Sequence, residues 1–165
     1  MKTAARVALL LGGAALGFWL WIVLFPSPQK LVLKRISSLA ATANVNAADG
    51  TFTRANKVSS LISYFSTDAE ISFDVPGAGA RTLTGRDEIR EAAAGGYINL
   101  ASLKVRFEDV VARIGPDKQT AVVTCTANVR ANDSQDTGIQ ELRFQFRNID
   151  GDWLIVRVET VKTLQ

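Results

Sequence analysis

The chain contains no histidine and only one cysteine, Cys125, among its 165 residues. Without histidine, the commonest zinc ligand and the usual neutral-pH acid or base are both missing. A single cysteine cannot form a disulfide within the domain, and no imidazole is present to activate it as a nucleophile. The remaining carboxylates match no calcium-loop spacing, and phosphate-binding glycine motifs are absent. We therefore predict no metal ion and no cofactor.

Clustered positive charge is also missing. The chain has 19 Lys and Arg against 16 Asp and Glu, but much of this excess lies close to the N-terminus. Residues 30–165 carry a net charge of +1, which falls to −2 without the three basic residues between positions 30 and 35. Nucleic-acid binding requires a basic surface. We therefore expect no nucleic-acid partner.

Charged residues are absent from one long segment. Residues 7–25 read VALLLGGAALGFWLWIVLF, a run of 19 residues that as a helix reaches about 28 Å, close to the hydrocarbon thickness of a bilayer. A cleaved signal peptide is the alternative, but its apolar region is usually about 7–15 residues long and ends in small residues, whereas this run ends in bulky ones. We predict a transmembrane anchor in residues 1–28 and one globular domain in residues 29–165.

The anchor carries two further features. Trp19 and Trp21 fit the aromatic belt of a membrane interface. Gly13 and Gly17 form a G-x-x-x-G pattern that permits close helix pairing, although glycine is common in membrane helices in any case. Basic residues flank both ends of the run, so the positive-inside rule gives no clear orientation for the anchor in the membrane. The short N-terminal tail favours a single-pass protein with its domain on the periplasmic or extracytoplasmic side.

Hydrophobic periodicity predicts helices first and a run of strands afterwards. Ser27-Pro28 begins a helix, a second helix spans about 51–65, a strand begins at Asp68, and a short strand at 81–83 precedes a third helix. Four alternating strands complete the chain, and a phase slip near Asp109 predicts a β-bulge. Segregation of helices from antiparallel strands indicates an α+β fold with helices on one face of a curved sheet.

Three segments carry a resemblance to a known superfamily. They are YFSTDAEI at 64–71, LTGRDEI at 83–89 and DGDWLI at 150–155. In this order and spacing the chain resembles the nuclear-transport-factor-2-like (NTF2-like) superfamily, in particular its SnoaL-like branch. The resemblance implies a cystatin-like cone, three helices packed on a strongly curved, mostly antiparallel sheet, and dimerisation. Members of the superfamily include isomerases, dehydratases and cyclases as well as non-catalytic assembly modules.

The predicted inner face of the sheet carries mostly apolar side chains. Phe107, Cys125, Phe144 and Phe146 are the predicted lining of a ligand pocket in the cone. On strict alternation, Leu154, Val156 and Val158 also face inward. No strong acid or base shares this face, which argues against acid–base catalysis. We therefore predict no catalytic residue.

Three residues are weak candidates for a catalytic role. Asp74 lies in the first strand, and Tyr64 and Tyr97 lie near helix ends. Alternatively, Asp74 is a solvated strand residue, and the two tyrosines are packed in the fold with their hydroxyls hydrogen-bonded.

The opposite sheet face alternates in charge. It is predicted to contain the interface residues Arg143, Arg147, Trp153, Arg157 and Glu159. Cross-strand ion pairs on a solvated face are the structural alternative. The functional hypothesis is a polar interface with an apolar centre at Trp153, formed with a second copy or with a larger membrane complex.

Three functions remain open from the sequence. The favoured hypothesis is a membrane-anchored, non-catalytic module that assembles as a homodimer or as an accessory subunit of a membrane complex. The alternatives are a SnoaL-like enzyme, such as an isomerase, dehydratase or cyclase, and a binder of a small apolar, lipid-like ligand. A filled cone would favour assembly, whereas an acid in an enclosed pocket would favour an enzyme.

Overall fold

The computed structural model describes residues 27–75, 79–132, 134 and 137–161. The predicted anchor at 7–25, with Gly13, Gly17, Trp19 and Trp21, lies outside these residues. Among the residues described, no helix is both long and apolar enough to cross a membrane. The secondary structure elements are α1 Pro28–Ala43, α2 Thr51–Ile62, β1 Phe65–Val75, β2 Gly79–Thr84, α3 Gly85–Asn99, β3 Leu103–Ile114, β4 Thr120–Ala131, β5 Gly138–Ile149 and β6 Asp152–Thr160.

One six-stranded sheet carries the three helices. Its strand order is β2-β1-β6-β5-β4-β3, in which β1 and β6 are parallel and every other pair is antiparallel. Helix α1 packs against β3 and β6, α3 packs against β1 and β2, and α2 lies against both helices. We call the helix-covered side of the sheet the inner face and the opposite side the outer face. The predicted α+β fold with three helices on a curved sheet is confirmed.

The helix start at Ser27 and the bulge near Asp109 are confirmed. Ser27 Oγ accepts a hydrogen bond from the Lys30 backbone N–H at 3.4 Å, and Pro28 begins α1. In β3, Glu108 pairs with Thr126 while Val111 pairs with Thr124. One residue of β4 is therefore opposite two of β3, and Asp109 has a φ of +52°. This bulge returns the apolar residues of β3 to the inner face.

The predicted alternation of β6 is wrong. Gln145 pairs with Arg157 but Phe146 pairs with Ile155, so Val156 is an extra residue in the strand. In the first half of β6, this irregularity turns inward the side chains that were predicted to point outward, and turns outward those that were predicted to point inward. Trp153 and Ile155 are 4% and 0% exposed and belong to the core, while Leu154 is half-buried. Trp153 is therefore a core residue and not the centre of an outer-face interface.

Candidate functional site

The residues predicted to line a cone pocket pack against one another. The rings of Phe107 and Phe144 meet edge to face with centroids 5.5 Å apart, and those of Phe144 and Phe146 lie 6.4 Å apart. Phe144, Phe146 and Cys125 are buried, while Phe107 reaches an open groove between α1 and β3. Burial raises the pKa of the Cys125 thiol to about 11, so it stays protonated at neutral pH.

The candidate tyrosines hold α1 in place. Tyr64 Oη lies 3.2 Å from the Thr42 hydroxyl, and the Arg35 guanidinium lies over its ring at 4.4 Å from the centroid. Tyr97 Oη donates to the Ala43 carbonyl at 3.0 Å, and burial raises the pKa of Tyr97. Both hydroxyls therefore have structural partners within the fold.

The third catalytic candidate, Asp74, pairs through its backbone with Ala80 in the β1–β2 hairpin. Its side chain lies outside the described part of the chain. In that part, no group of three or more acidic or cysteine side chains has the arrangement of a metal site.

A cleft of about 740 Å³ separates the start of α2 from the end of α3. Its walls are mostly apolar and include Ala55, Val58, Ala94, Ile98 and Leu100. Ile98, on the α3 side of the cleft, is 79% exposed. The cleft is therefore a concave, largely apolar site of the size that small ligands occupy.

Arg54 joins the two sides of this cleft. Its Nε donates to the Asp49 carbonyl at 2.9 Å, while Nη1 donates to the carbonyls of Tyr97 and, at 2.6 Å, Leu100. Its Nη2 donates to the Ala101 carbonyl at 3.1 Å. Helix α3 has no basic residue in its last turn, so Arg54 satisfies carbonyls that would otherwise lack partners. Sequence reasoning missed Arg54; the only signal was the missing C-terminal cation in α3.

Asp49 at the cleft mouth is also internally paired. Its carboxylate lies 2.5 Å from Lys57 Nζ and accepts the Asn46 backbone N–H at 2.8 Å. The hydrogen bond from Lys57, followed by that from Asn46, lowers the pKa of Asp49, so the carboxyl is ionised at neutral pH. It is thus a poor proton donor, and both of these hydrogen bonds are accepted by its Oδ2 atom.

The outer face carries a row of ion pairs across three strands. Arg143 Nη1 lies 3.1 Å from a Glu159 carboxylate oxygen and Arg157 Nη2 lies 2.6 Å from one of Glu70, while Arg147 and Asp68 are 4.0 Å apart. Four of the five predicted interface residues therefore lie on this face. Arg143 pairs with Glu159, whereas Arg147 and Arg157 pair with acidic residues of β1. Such exposed pairs contribute little stability, typically about 0–1 kcal/mol each.

Apolar side chains accompany these charges. Val111 and Val122 are 50% and 39% exposed and line an outer-face depression of about 700 Å³, together with Arg113, Arg143 and Gln145. Ile139, on the same face of β5, is 69% exposed. Apolar side chains bordered by charged ones match the apolar core and polar rim of a protein interface.

Comparison with known proteins identifies the family. Residues 43–159 match the model of the SnoaL-like domain, so the chain belongs to that family. A search of curated proteins finds no match.

Solved structures agree in fold. A proposed dehydratase of the NTF2-like family from Streptomyces avermitilis is 20% identical, with a TM-score of 0.63 over 83% of this chain and 96% of that one. An NTF2-like protein with a cystatin-like fold from Novosphingobium aromaticivorans is 19% identical, with a TM-score of 0.62 over 96% of this chain and 86% of that one. A yeast deubiquitinase–cofactor complex matches at 11% identity and a TM-score of 0.59, over 82% of this chain and 97% of that one. At these identities the likeness establishes the fold alone.

Proposed function

We propose that this SnoaL-like domain is a membrane-anchored, non-catalytic module that acts by assembly, either with itself or as an accessory subunit of a membrane complex. The observation that carries the proposal is the outer face, where Val111, Val122 and Ile139 lie exposed among ordered ion pairs. The fold also occurs in the yeast deubiquitinase–cofactor complex, which is an assembly of proteins.

The inner face supports the non-catalytic part of this proposal. The rings of Phe107, Phe144 and Phe146 pack against one another on this face, and Tyr64 and Tyr97 have structural partners. Among the described residues, the inner face of the sheet carries no carboxylate to accept a proton, and without a proton acceptor acid–base catalysis loses a contribution of typically ~10²–10⁴-fold.

The membrane part of the proposal rests on the sequence of residues 7–25. Helix α1 begins at Pro28, three residues after that hydrophobic run ends. An anchor there would hold the domain close to the lipid surface, with the domain on the extracytoplasmic side. Membrane lipid would then be one partner of the protein, through its N-terminal helix.

The outer face is tested by a pair of substitutions. In the full-length chain in mild detergent, Val122→Asp should lower the associated mass, because it replaces an apolar side chain of the proposed interface with a charged one that is costly to bury. Ile98→Asp, on the exposed side of α3, should leave the mass unchanged. The measurement is light scattering after gel filtration, with melting curves to show that both variants fold. Equal masses for wild type and both variants would contradict the outer-face interface.

A second candidate function is an enzyme of the SnoaL-like type or a binder of a small apolar ligand. The cleft between α2 and α3 favours it, because its volume suits a small molecule and its walls are apolar. Two structural neighbours are described as proposed dehydratases. Saturable binding of an apolar fluorescent probe, abolished by Ala55→Trp, would favour this alternative.

A further inference from the structure

The cleft between α2 and α3 is separate from the interior of the cone. Its described lining lies within residues 49–58 and 94–101, which belong to these two helices and the loops beside them and to no strand of the sheet. Its volume of about 740 Å³ is within the range of roughly 300–1,000 Å³ that small-molecule sites occupy. A ligand held here would therefore lie outside the cluster formed by Phe107, Phe144 and Phe146.

The charges at this cleft do not balance. Arg54 and Asp49 are the charged residues of its described lining. The Asp49 carboxylate lies 2.5 Å from the Lys57 ammonium, and Arg54 is close enough to help lower the pKa of Asp49. Two cations therefore face one carboxylate, which leaves a local net charge of +1. An anionic ligand would balance this charge, whereas a cationic ligand would add to it.

Arg54 also keeps one hydrogen-bond donor without a partner. A guanidinium has five N–H donors. Four of them donate to the backbone carbonyls of Asp49, Tyr97, Leu100 and Ala101. The fifth, on Nη2, has no acceptor among the residues that the structure describes. Because Arg54 lines the cleft, this donor and its positive charge lie at a mostly apolar wall.

We propose that the cleft binds an apolar monocarboxylate. The Arg54 guanidinium pairs with the carboxylate of this ligand, and its hydrocarbon part packs between Ala55, Val58 and Ile98. Ile98 is 79% exposed, so the hydrocarbon would shield it from water. The inference goes beyond the proposed assembly function, and it rests on the second candidate function, for which it specifies the class of ligand.

Ligands of equal chain length test the charge preference. The full-length chain in native membranes is labelled with a photoreactive diazirine analogue of octanoic acid, and peptide mass spectrometry locates the labelled residues. We expect labelling within 49–58 and 94–101. Octanoate should displace it at a free aqueous concentration about tenfold or more below that of octanol, because hydrogen bonds between charged groups are the stronger ones. Octylammonium, which Arg54 repels, should displace it least.

Three substitutions in α2 test the place of binding. Ala55→Trp fills the cleft and should abolish the displaceable labelling. Asn56→Trp is the matched control, because Asn56 is exposed and is not part of the described lining, and it should leave the labelling unchanged. Arg54→Gln removes the charge and should bring octanoate to the level of octanol, with melting curves to show that the variant folds. The ligand series on the wild-type chain tests the same preference without any substitution.

Two sets of results would overturn the inference. Equal displacement by octanoate and octanol, or a preference for octanoate that persists in folded Arg54→Gln, would exclude a carboxylate ligand at Arg54 while leaving an apolar site. Labelling that no ligand displaces, or that Ala55→Trp does not reduce, would overturn the cleft site and the second candidate function together. Assembly through the outer face is tested separately, by Val122→Asp.

Discussion

Replacing Trp153 with alanine is expected to lower the free energy of unfolding by about 3–5 kcal/mol, the range for truncating a large buried aromatic side chain. Trp153 is 4% exposed and belongs to the same buried cluster as Phe65, Phe146 and Ile155. Truncation would leave a cavity that the paired strands around it cannot close without breaking their register. Urea unfolding would measure the loss, provided that the dependence of the unfolding free energy on urea concentration has the same slope in both proteins.

Leu154→Ala is the matched control for this substitution. Leu154 is adjacent in the chain, half-buried and turned toward the other side of β6. Its truncation should cost clearly less than that of Trp153. The reverse order would show that the irregularity at Val156 is absent and that β6 follows simple alternation.

Phe144→Ala should also cost about 3–5 kcal/mol. Phe144 is 3% exposed, contacts the rings of Phe107 and Phe146, and pairs with Val123 and Val158 in the neighbouring strands. Its truncation removes aromatic contacts on two sides as well as buried apolar area. Urea unfolding of the purified variant measures this loss too.

The neighbouring Arg143 supplies the comparison for Phe144. It lies on the outer face, and its exposed ion pair with Glu159 should contribute no more than about 1 kcal/mol. Similar losses for Phe144→Ala and Arg143→Ala would mean that the two sheet faces are not segregated as the structure has them.

Sequence periodicity predicted most of the fold and failed at β6 for a physical reason. In β3 the bulge left a visible phase slip, because charged and apolar residues alternate strictly before Asp109 and the inward apolar positions then shift to Val110, Ala112 and Ile114. In β6, residues 153–156 read WLIV, so the positions that face either side of the sheet are all apolar. Alternation therefore carried no information about which side faces the core, and the extra residue at Val156 left no trace.

The candidate sites were predicted to different degrees. Arg143 and Glu159 could be placed on one face because both alternate with apolar residues on adjacent strands. Their neighbours Asp68 and Glu70 could not, because β1 joins β6 by parallel pairing of distant segments. Arg54 was beyond prediction, since three of its carbonyl acceptors lie 43–47 residues away and backbone groups have no sequence signature.

The central claim, association through the outer face, is tested most directly by cross-linking in native membranes. Cys125 is buried with a raised pKa, so an introduced cysteine would be the reactive one. Thr124→Cys places it on the outer face and Ala92→Cys on the exposed side of α3. With a short bis-maleimide, we expect a cross-linked species of higher mass from Thr124→Cys and none from Ala92→Cys. Monomer-sized protein from both variants, with both cysteines fully modified, would contradict the account.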